Sequence, residues 1–210
     1  GAAGVDPEES PVQVFIMVWE WGAYLGAEAL EKGVTACVSS WFRPAPNTHP
    51  TMAKAGGNYL NSSLMKVEAK NNGFDEAIAL SVEGLVSEGS GQNIFLVKDG
   101  ALYTPEVDGT FLQGITRDSV IRLAEDLGIP VHETRVPREF LYGAEEVFFV
   151  GTASEVTPVR SVDHWQVGDG CRGPITARIQ ERFLAVVRGE HPDRHGWLTA
   201  AAPRGAGIGA

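Results

Sequence analysis

Met52-Ala53-Lys54-Ala55-Gly56-Gly57-Asn58-Tyr59-Leu60 sets one lysine between two alanines and follows it with two glycines, an amide and a phenol. Small neighbours let a flat ligand approach the lysine, and Gly56 and Gly57 let backbone come near that ligand. A desolvated lysine loses its proton more easily and can then attack a carbonyl carbon, which is what Schiff-base chemistry requires. Read by itself, the same nonapeptide is also a surface lysine ahead of a glycine-rich helix start. The neighbouring segments have to decide.

On the C-terminal side, Tyr59–Asn71 carries Leu60, Leu64 and Val67 at helical spacing and predicts a helix that stops at Asn72-Gly73. On the N-terminal side, Arg43-Pro44-Ala45-Pro46-Asn47 must be extended, because each proline restricts the residue before it. Val34–Trp41 alternates and reads as a strand. Val12–Trp19 is an apolar, β-rich run read as a buried strand, and it is too short to span a bilayer. Between them, Trp21 and Tyr24 lie in an aromatic and glycine loop, where they either wall a pocket or cap a core.

Hairpins follow. Ile78–Val82 and Leu85–Ser87 flank Glu83-Gly84, and Asn93–Val97 and Ala101–Thr104 flank Lys98-Asp99-Gly100, a strong hairpin signal. Between the hairpins, Glu88 leads a Gly-Ser-Gly loop, which reads either as a site loop or as a solvated turn. Gly114-Ile115-Thr116 opens a helix with the apolar stripe Val120, Ile121, Leu123, Ala124 and Leu127, and Thr116 is the expected N-cap. Such a helix start can receive an anion, although an ordinary capped helix has the same sequence signature. Further on, Val131–Val136, Glu146–Val150 and Val156–Val159 read as strands, and Gly151–Ser154 as a tight turn. Pro137–Tyr142 and Pro174–Arg188 read as helices, the latter with Ile175, Ile179, Phe183 and Val187 on one face. Strands and helices mix without strict alternation, which suggests α+β or a mixed barrel-like sheet.

Composition narrows the partners. The 210 residues are enough for one large domain or two small ones, and 43% apolar with 21% charged content is globular. A net charge of −10 disfavours nucleic acid or an anionic membrane as a general partner. Cys37 and Cys171 match no metal spacing, the five histidines form no ligand pattern, and no metal site is expected. Free thiols suit a reducing, cytoplasmic compartment. No GxSxG motif supports a hydrolase.

Taken in order, Lys54, Glu88, Gly114-Ile115-Thr116 and Gly151-Thr152-Ala153 resemble the class IV aminotransferases, pyridoxal-phosphate enzymes of the D-amino acid aminotransferase-like fold. Trp21-Gly22-Ala23-Tyr24-Leu25-Gly26 and Lys54–Tyr59 resemble the branched-chain amino acid group within that class. The similar runs reach from about Gly4 to Leu198. The resemblance implies an α+β fold: the large domain of that fold at residues 29–199, a mixed barrel-like sheet with flanking helices. Residues 1–28 would be the last strand and connecting loop of a small domain, and 200–210 a loose tail.

The implied activity is amino-group transfer between leucine, isoleucine or valine and 2-oxoglutarate, as in amino-acid biosynthesis, by a homodimer or higher homo-oligomer. A D-amino acid aminotransferase or an aminodeoxychorismate lyase would share the scaffold, but the Trp21–Gly26 loop argues against both. A non-catalytic cofactor-binding fragment is the reading from a different class.

The resemblance also implies roles. Lys54 would hold pyridoxal 5′-phosphate through a Schiff base and then move a proton at the substrate Cα. Glu88 would sit against the pyridine nitrogen and keep it protonated. Tyr59 would donate to the ring oxygen. Ile115 and Thr116 would bind the phosphate through helix-start amides and a hydroxyl, and Thr152 would add a contact. The turn at Thr152 and Ala153 would bind the substrate carboxylate, and Trp21 and Tyr24 would wall the side-chain pocket. Arg43 would orient Glu88 from behind, or be a surface arginine.

This chain departs from the family pattern in two places. The family's small N-terminal domain, which supplies an arginine to the phosphate, is represented here only by its end. The start at Gly1 is read as a truncation, so these residues alone are expected to bind cofactor weakly and turn over little. Gln92 also stands where the family's Gly-Glu-Asn run has an acidic residue. It is expected to change local hydrogen bonding and not the reaction.

Overall fold

The computed structural model describes residues 4–8, 10–20, 22, 25, 26 and 28–199. Trp21, Tyr24 and the expected tail at 200–210 lie outside the described residues. Nine strands form one sheet: β1 (Val34–Phe42), β2 (Glu76–Leu80), β3 (Val86–Gly89), β4 (Asn93–Lys98), β5 (Ala101–Pro105), β6 (Val131–Thr134), β7 (Glu146–Gly151), β8 (Glu155–Val162) and β9 (Trp165–Gln166). The helices are α1 (Ala29–Lys32), α2 (Tyr59–Asn71), α3 (Ile115–Asp126), α4 (Phe140–Gly143) and α5 (Pro174–Val187).

The strand order is β3-β2-β1-β8-β7-β4-β5-β6, with β9 beside β8. β1 runs parallel to both β2 and β8, β5 runs parallel to β6, and the other pairs are antiparallel. The β4–β5 turn has Asp99 and Gly100 at φ 49° and 76°, the positive angles that a two-residue hairpin of this hand requires. The sheet also curls. Val86 N donates to Val136 O at 2.8 Å, and Leu85 bridges Pro137, so edge strand β3 meets the chain leaving the opposite edge strand β6. The expected mixed, barrel-like sheet is therefore present as a half-barrel.

Side-chain alternation divides the apolar residues. Ile94, Leu96, Val147 and Phe149 point into the curl with Ile78, Val86 and Val159. Phe95, Val97, Phe148 and Val150 point outward under α3 and α5, against Val120, Ala124 and Ile179. A third cluster, Cys37, Met65, Ala69, Phe74, Ala77 and Ala79, lies between α2 and the β1–β2 pair. Strands covered on both faces read as continuous apolar runs, as β4 and β7 do.

Several expectations are corrected. Val12–Trp19 is not a buried strand: it forms no strand among the described residues, and Val12 and Ile16 are 93% and 89% exposed. An apolar run becomes a strand only where a neighbour can take its backbone hydrogen bonds. In α2, Leu60, Leu64 and Val67 face outward, while Ser62, Met65 and Ala69 are buried. Small residues there let the helix lie close on the sheet. Thr116 is not the N-cap of α3; Gly114 is, with no side-chain cap bond. In α5 the buried residue of the last turn is Val186, and Val187 is exposed. Pro137 precedes α4, which spans Phe140–Gly143, and its carbonyl accepts from Phe140 N at 3.0 Å in the turn leading into that helix.

Candidate active site

Lys54 lies in the loop that leads from β1 into α2. Three prolines, Pro44, Pro46 and Pro50, stiffen that loop, and Asn58 Nδ2 ties it down by donating to Pro50 O at 2.9 Å and Ala53 O at 3.0 Å. Thr51 Oγ1 also donates to Gly109 O, across the gap to the loop before α3. In this frame Lys54 Nζ donates to Tyr59 Oη at 2.7 Å. Tyr59 is the first residue of α2, so the phenol is fixed by a helix while the amine sits on a loop.

Glu88 belongs to β3 and is buried. Its Oε1 meets Arg43 Nη2 at 2.6 Å. Burial pushes the Glu88 carboxyl up to about 7; Arg43 and Lys54 act against that rise, and Asp108 adds to it. Arg43 is buried, not a surface arginine. Its Nη1 donates to Asn61 Oδ1 and Ser62 Oγ, both at 3.1 Å, and its Nη2 to Gly89 O at 3.2 Å and Ser90 O at 3.3 Å. One guanidinium thus joins α2, the end of β3 and the Glu88 carboxylate.

Two further segments meet the Gly89–Asn93 loop from the other side. Gly114, at the start of α3, sits so close to Asn93 that a Cβ there would collide with the Asn93 side-chain oxygen. Asn93 Nδ2 also donates to Leu112 O at 2.9 Å. The Gly151–Ser154 turn approaches from β7, where Asn93 pairs with Val150. A Cβ on Gly151 would lie 3.9 Å from both Gln92 Cγ and Gly91 O. At Gly114 a side chain would have to displace the Asn93 amide, and at Gly151 the tight neighbour of a Cβ would be Ser154 Oγ at 2.9 Å.

The first amides of a helix have no carbonyl one turn back to bind. At α5 a protein carboxylate fills that role: Glu146 accepts from Ile175 N at 2.9 Å and Thr176 N at 2.7 Å. At α3 the first residue, Ile115, is 84% exposed, and Thr116 is buried behind it. Arg117 locks that helix start to the sheet through Pro105 O at 2.9 Å and Glu133 at 2.7 Å. Thr152 and Ala153 are exposed at their turn.

Two contact pairs meet at the start of α2: Lys54 bonds Tyr59, and Arg43, which holds Glu88, bonds Asn61 and Ser62. Ile115, Thr116, Thr152 and Ala153 flank the loop that follows Glu88. Sequence reasoning missed what lies under that loop. Glu76, fully buried in β2, accepts from Ser90 Oγ at 2.5 Å, Gln92 Nε2 at 2.9 Å and Lys66 Nζ at 2.7 Å. The one signal of it was Gln92, the departure from the family pattern, whose amide donates to Glu76 at 2.9 Å. Among the described residues no group of three or more metal-ligating side chains could hold an ion, and no helix is long and apolar enough to cross a membrane.

The family model for class IV amino-transferases matches residues 1–162. The chain belongs to the class IV aminotransferase family. It is 57% identical over 196 residues to the branched-chain-amino-acid aminotransferase of Escherichia coli strain K12, covering 93% of this chain and 63% of that protein. The chain therefore spans less than two thirds of the length of that curated relative. The crystal structure of the E. coli branched-chain amino acid aminotransferase superposes with a TM-score of 0.84 at 59% identity, over 85% of this chain and 59% of the other. The branched-chain amino acid aminotransferase of T.th. with pyridoxamine 5′-phosphate gives a TM-score of 0.81 at 52% identity, over 86% and 59%. The same enzyme complexed with 4-methylvaleric acid gives 0.80 at 49% identity, over 86% and 58%.

Proposed function

We propose that this chain carries the catalytic side of a branched-chain amino acid aminotransferase. It exchanges an amino group between leucine, isoleucine or valine and 2-oxoglutarate with pyridoxal 5′-phosphate as cofactor. The observation that carries this reading is Lys54 bonded to Tyr59 at 2.7 Å at the start of α2, where Arg43, bonded to Asn61 and Ser62 at 3.1 Å, holds the buried Glu88 carboxylate at 2.6 Å. The two complexes of the T.th. enzyme support it: one holds a form of the cofactor, the other an acid with the carbon skeleton of leucine.

The donor set fits the cofactor: an amine beside a phenol, a buried carboxylate, and a helix start open to an anion. When bound, pyridoxal phosphate supplies a carbonyl carbon for amines and an electron sink for the substrate Cα. Lys54 Nζ would hold the cofactor at that carbon, with the carbonyl oxygen leaving as water, and the free amine would move a proton at the substrate Cα. Tyr59 steadies the amine and donates to the ring oxygen. Glu88 accepts from the ring nitrogen and keeps its proton there, and Arg43 fixes the carboxylate from behind. The Ile115 and Thr116 amides, the Thr116 hydroxyl and Thr152 bind the phosphate. The turn at Thr152 and Ala153 binds the substrate carboxylate.

On this reading residues 29–199 are the large domain, and the active form is a homodimer or higher homo-oligomer in the cytoplasm. Borohydride reduction in the presence of pyridoxal phosphate, followed by peptide mass spectrometry, tests it together with a leucine and 2-oxoglutarate assay. In the complete protein the expected result is a pyridoxyl adduct on Lys54 and glutamate formation, while residues 1–210 alone should bind cofactor weakly and turn over little. An adduct at Lys66 or Lys70 instead overturns the assignment.

A further inference from the structure

Glu76 is a fully buried carboxylate in a strand of otherwise apolar residues, and nothing in the proposed chemistry uses it. Burying a charge without partners is strongly unfavourable, and Glu76 has a full set. Oε1 takes Ser90 Oγ at 2.5 Å and Ala77 N at 2.8 Å. Oε2 takes Gln92 Nε2 at 2.9 Å and Lys66 Nζ at 2.7 Å. Gln92 closes the loop on itself as well, since its Oε1 accepts from Gly91 N at 3.1 Å and its carbonyl from Gly89 N at 2.7 Å. Ser90 and Gln92 are therefore held from inside the sheet.

The carbonyls of Gly89 and Ser90 are where Arg43 Nη2 binds, and the same Nη2 meets Glu88 Oε1 at 2.6 Å. We propose that Glu76 is a positioning residue: through Ser90 and Gln92 it fixes the carbonyls that anchor Arg43, and so sets where the guanidinium meets Glu88. The amide of Gln92 suits this role. It donates to Glu76 without a proton of its own to lose, whereas a glutamate at this place would have to share one proton with Glu76. The significance for catalysis rests on the reading of Glu88 as partner of the ring nitrogen.

The test is made on the cofactor-free protein by carbon-13 NMR of labelled glutamate carboxyls, with the Glu88 signal identified by its loss in Glu88→Gln. In the unaltered protein Glu88 should titrate near 7, between burial and Asp108 on one side and Arg43 and Lys54 on the other. Ser90→Ala changes no charge. It should loosen the Arg43 anchor and raise that midpoint by about half a pH unit or more. Glu76→Gln should raise it further, although removal of a negative charge would by itself lower it. If Glu76→Gln does not fold, Ser90→Ala decides alone. Glu146→Gln, which alters another buried carboxylate far along the chain, should lower Tm and leave the midpoint in place. An unchanged midpoint in Ser90→Ala, a fall in Glu76→Gln, or an equal rise in Glu146→Gln overturns the proposal. The turnover of Glu88→Gln with bound cofactor tests the role of Glu88 separately, so the two ideas fail by different measurements.

Discussion

Arg43 and Glu88 meet at 2.6 Å with side chains only 7% and 9% exposed. A buried pair is weak evidence for net stability, but breaking one is costly because the survivor keeps its charge. Arg43→Ala should therefore lower the unfolding free energy by about 3–5 kcal/mol. Urea denaturation measures it, and a loss below roughly 1 kcal/mol would mean that the pair is solvated and held loosely.

Glu88 also makes stability depend on pH. Its carboxyl rises from an ordinary 4.5 to about 7 in the fold, chiefly through burial. The sign follows from linkage: the unfolded chain releases this proton first, so the protein loses stability as pH rises from 4.5 to 7 and then levels off. The difference between the unaltered protein and Glu88→Gln should change by about 3 kcal/mol across that window. Parallel stability curves for the two proteins would show that Glu88 titrates normally.

In catalysis, Glu88→Gln should leave cofactor binding nearly intact, because the Lys54 and helix-start contacts remain. Turnover should fall by about two decades or more, since a neutral amide cannot hold the ring nitrogen charged. Stopped-flow spectra of the half-reaction with leucine separate binding from chemistry. A normal rate returns Glu88 to a structural part.

Lys54→Ala should abolish amino-group transfer and leave the fold unchanged, since Lys54 is exposed and bonds only at its tip to Tyr59 among the contacts seen. Circular dichroism and the leucine assay check the two halves of that statement. Tyr59→Phe should retain activity at a reduced rate, the amine having lost a partner but not its place on the loop.

The faces of α2 offer a packing test. Met65 is fully buried against β1 and β2, so Met65→Ala should cost about 2–5 kcal/mol. Leu60 is 70% exposed, and Leu60→Ala should change stability by no more than roughly 0.5 kcal/mol. Equal losses would mean that the helix is turned the other way.

That helix shows what sequence could and could not reveal. Its limits were legible, because Asn72-Gly73 is a strong stop and the spacing of Leu60, Leu64 and Val67 is helical. Its buried face was not, because the docking side uses Ser62 and Ala69, whose small size rather than apolarity lets them lie on the sheet. The same applies to Val12–Trp19, where composition suggests a strand but pairing is settled by neighbours. Lys54 and Glu88 stand out in short motifs, but each motif alone also fits a solvated residue, and their order along the chain is what suggests a shared role. Glu76 could not be found this way: its partners Lys66, Ser90 and Gln92 come from a helix and a loop that meet only after the sheet has curled.

The position of β1 governs the order in which the molecule can assemble. It lies between β2, its near neighbour in sequence, and β8, and Val38 N donates to Asp163 Oδ1 across a separation of 125 residues. The β2–β3 and β4–β5 hairpins close short loops and can form while the chain is still emerging from the ribosome. The middle of the sheet must wait until β8 has been made. A long loop is closed at that step, and contacts this distant in sequence slow folding. Until then β1 has one open edge, a site where a second nascent chain could pair wrongly. Refolding should therefore be slow and concentration-sensitive, with the hairpins protected from hydrogen exchange before the β1–β8 ladder.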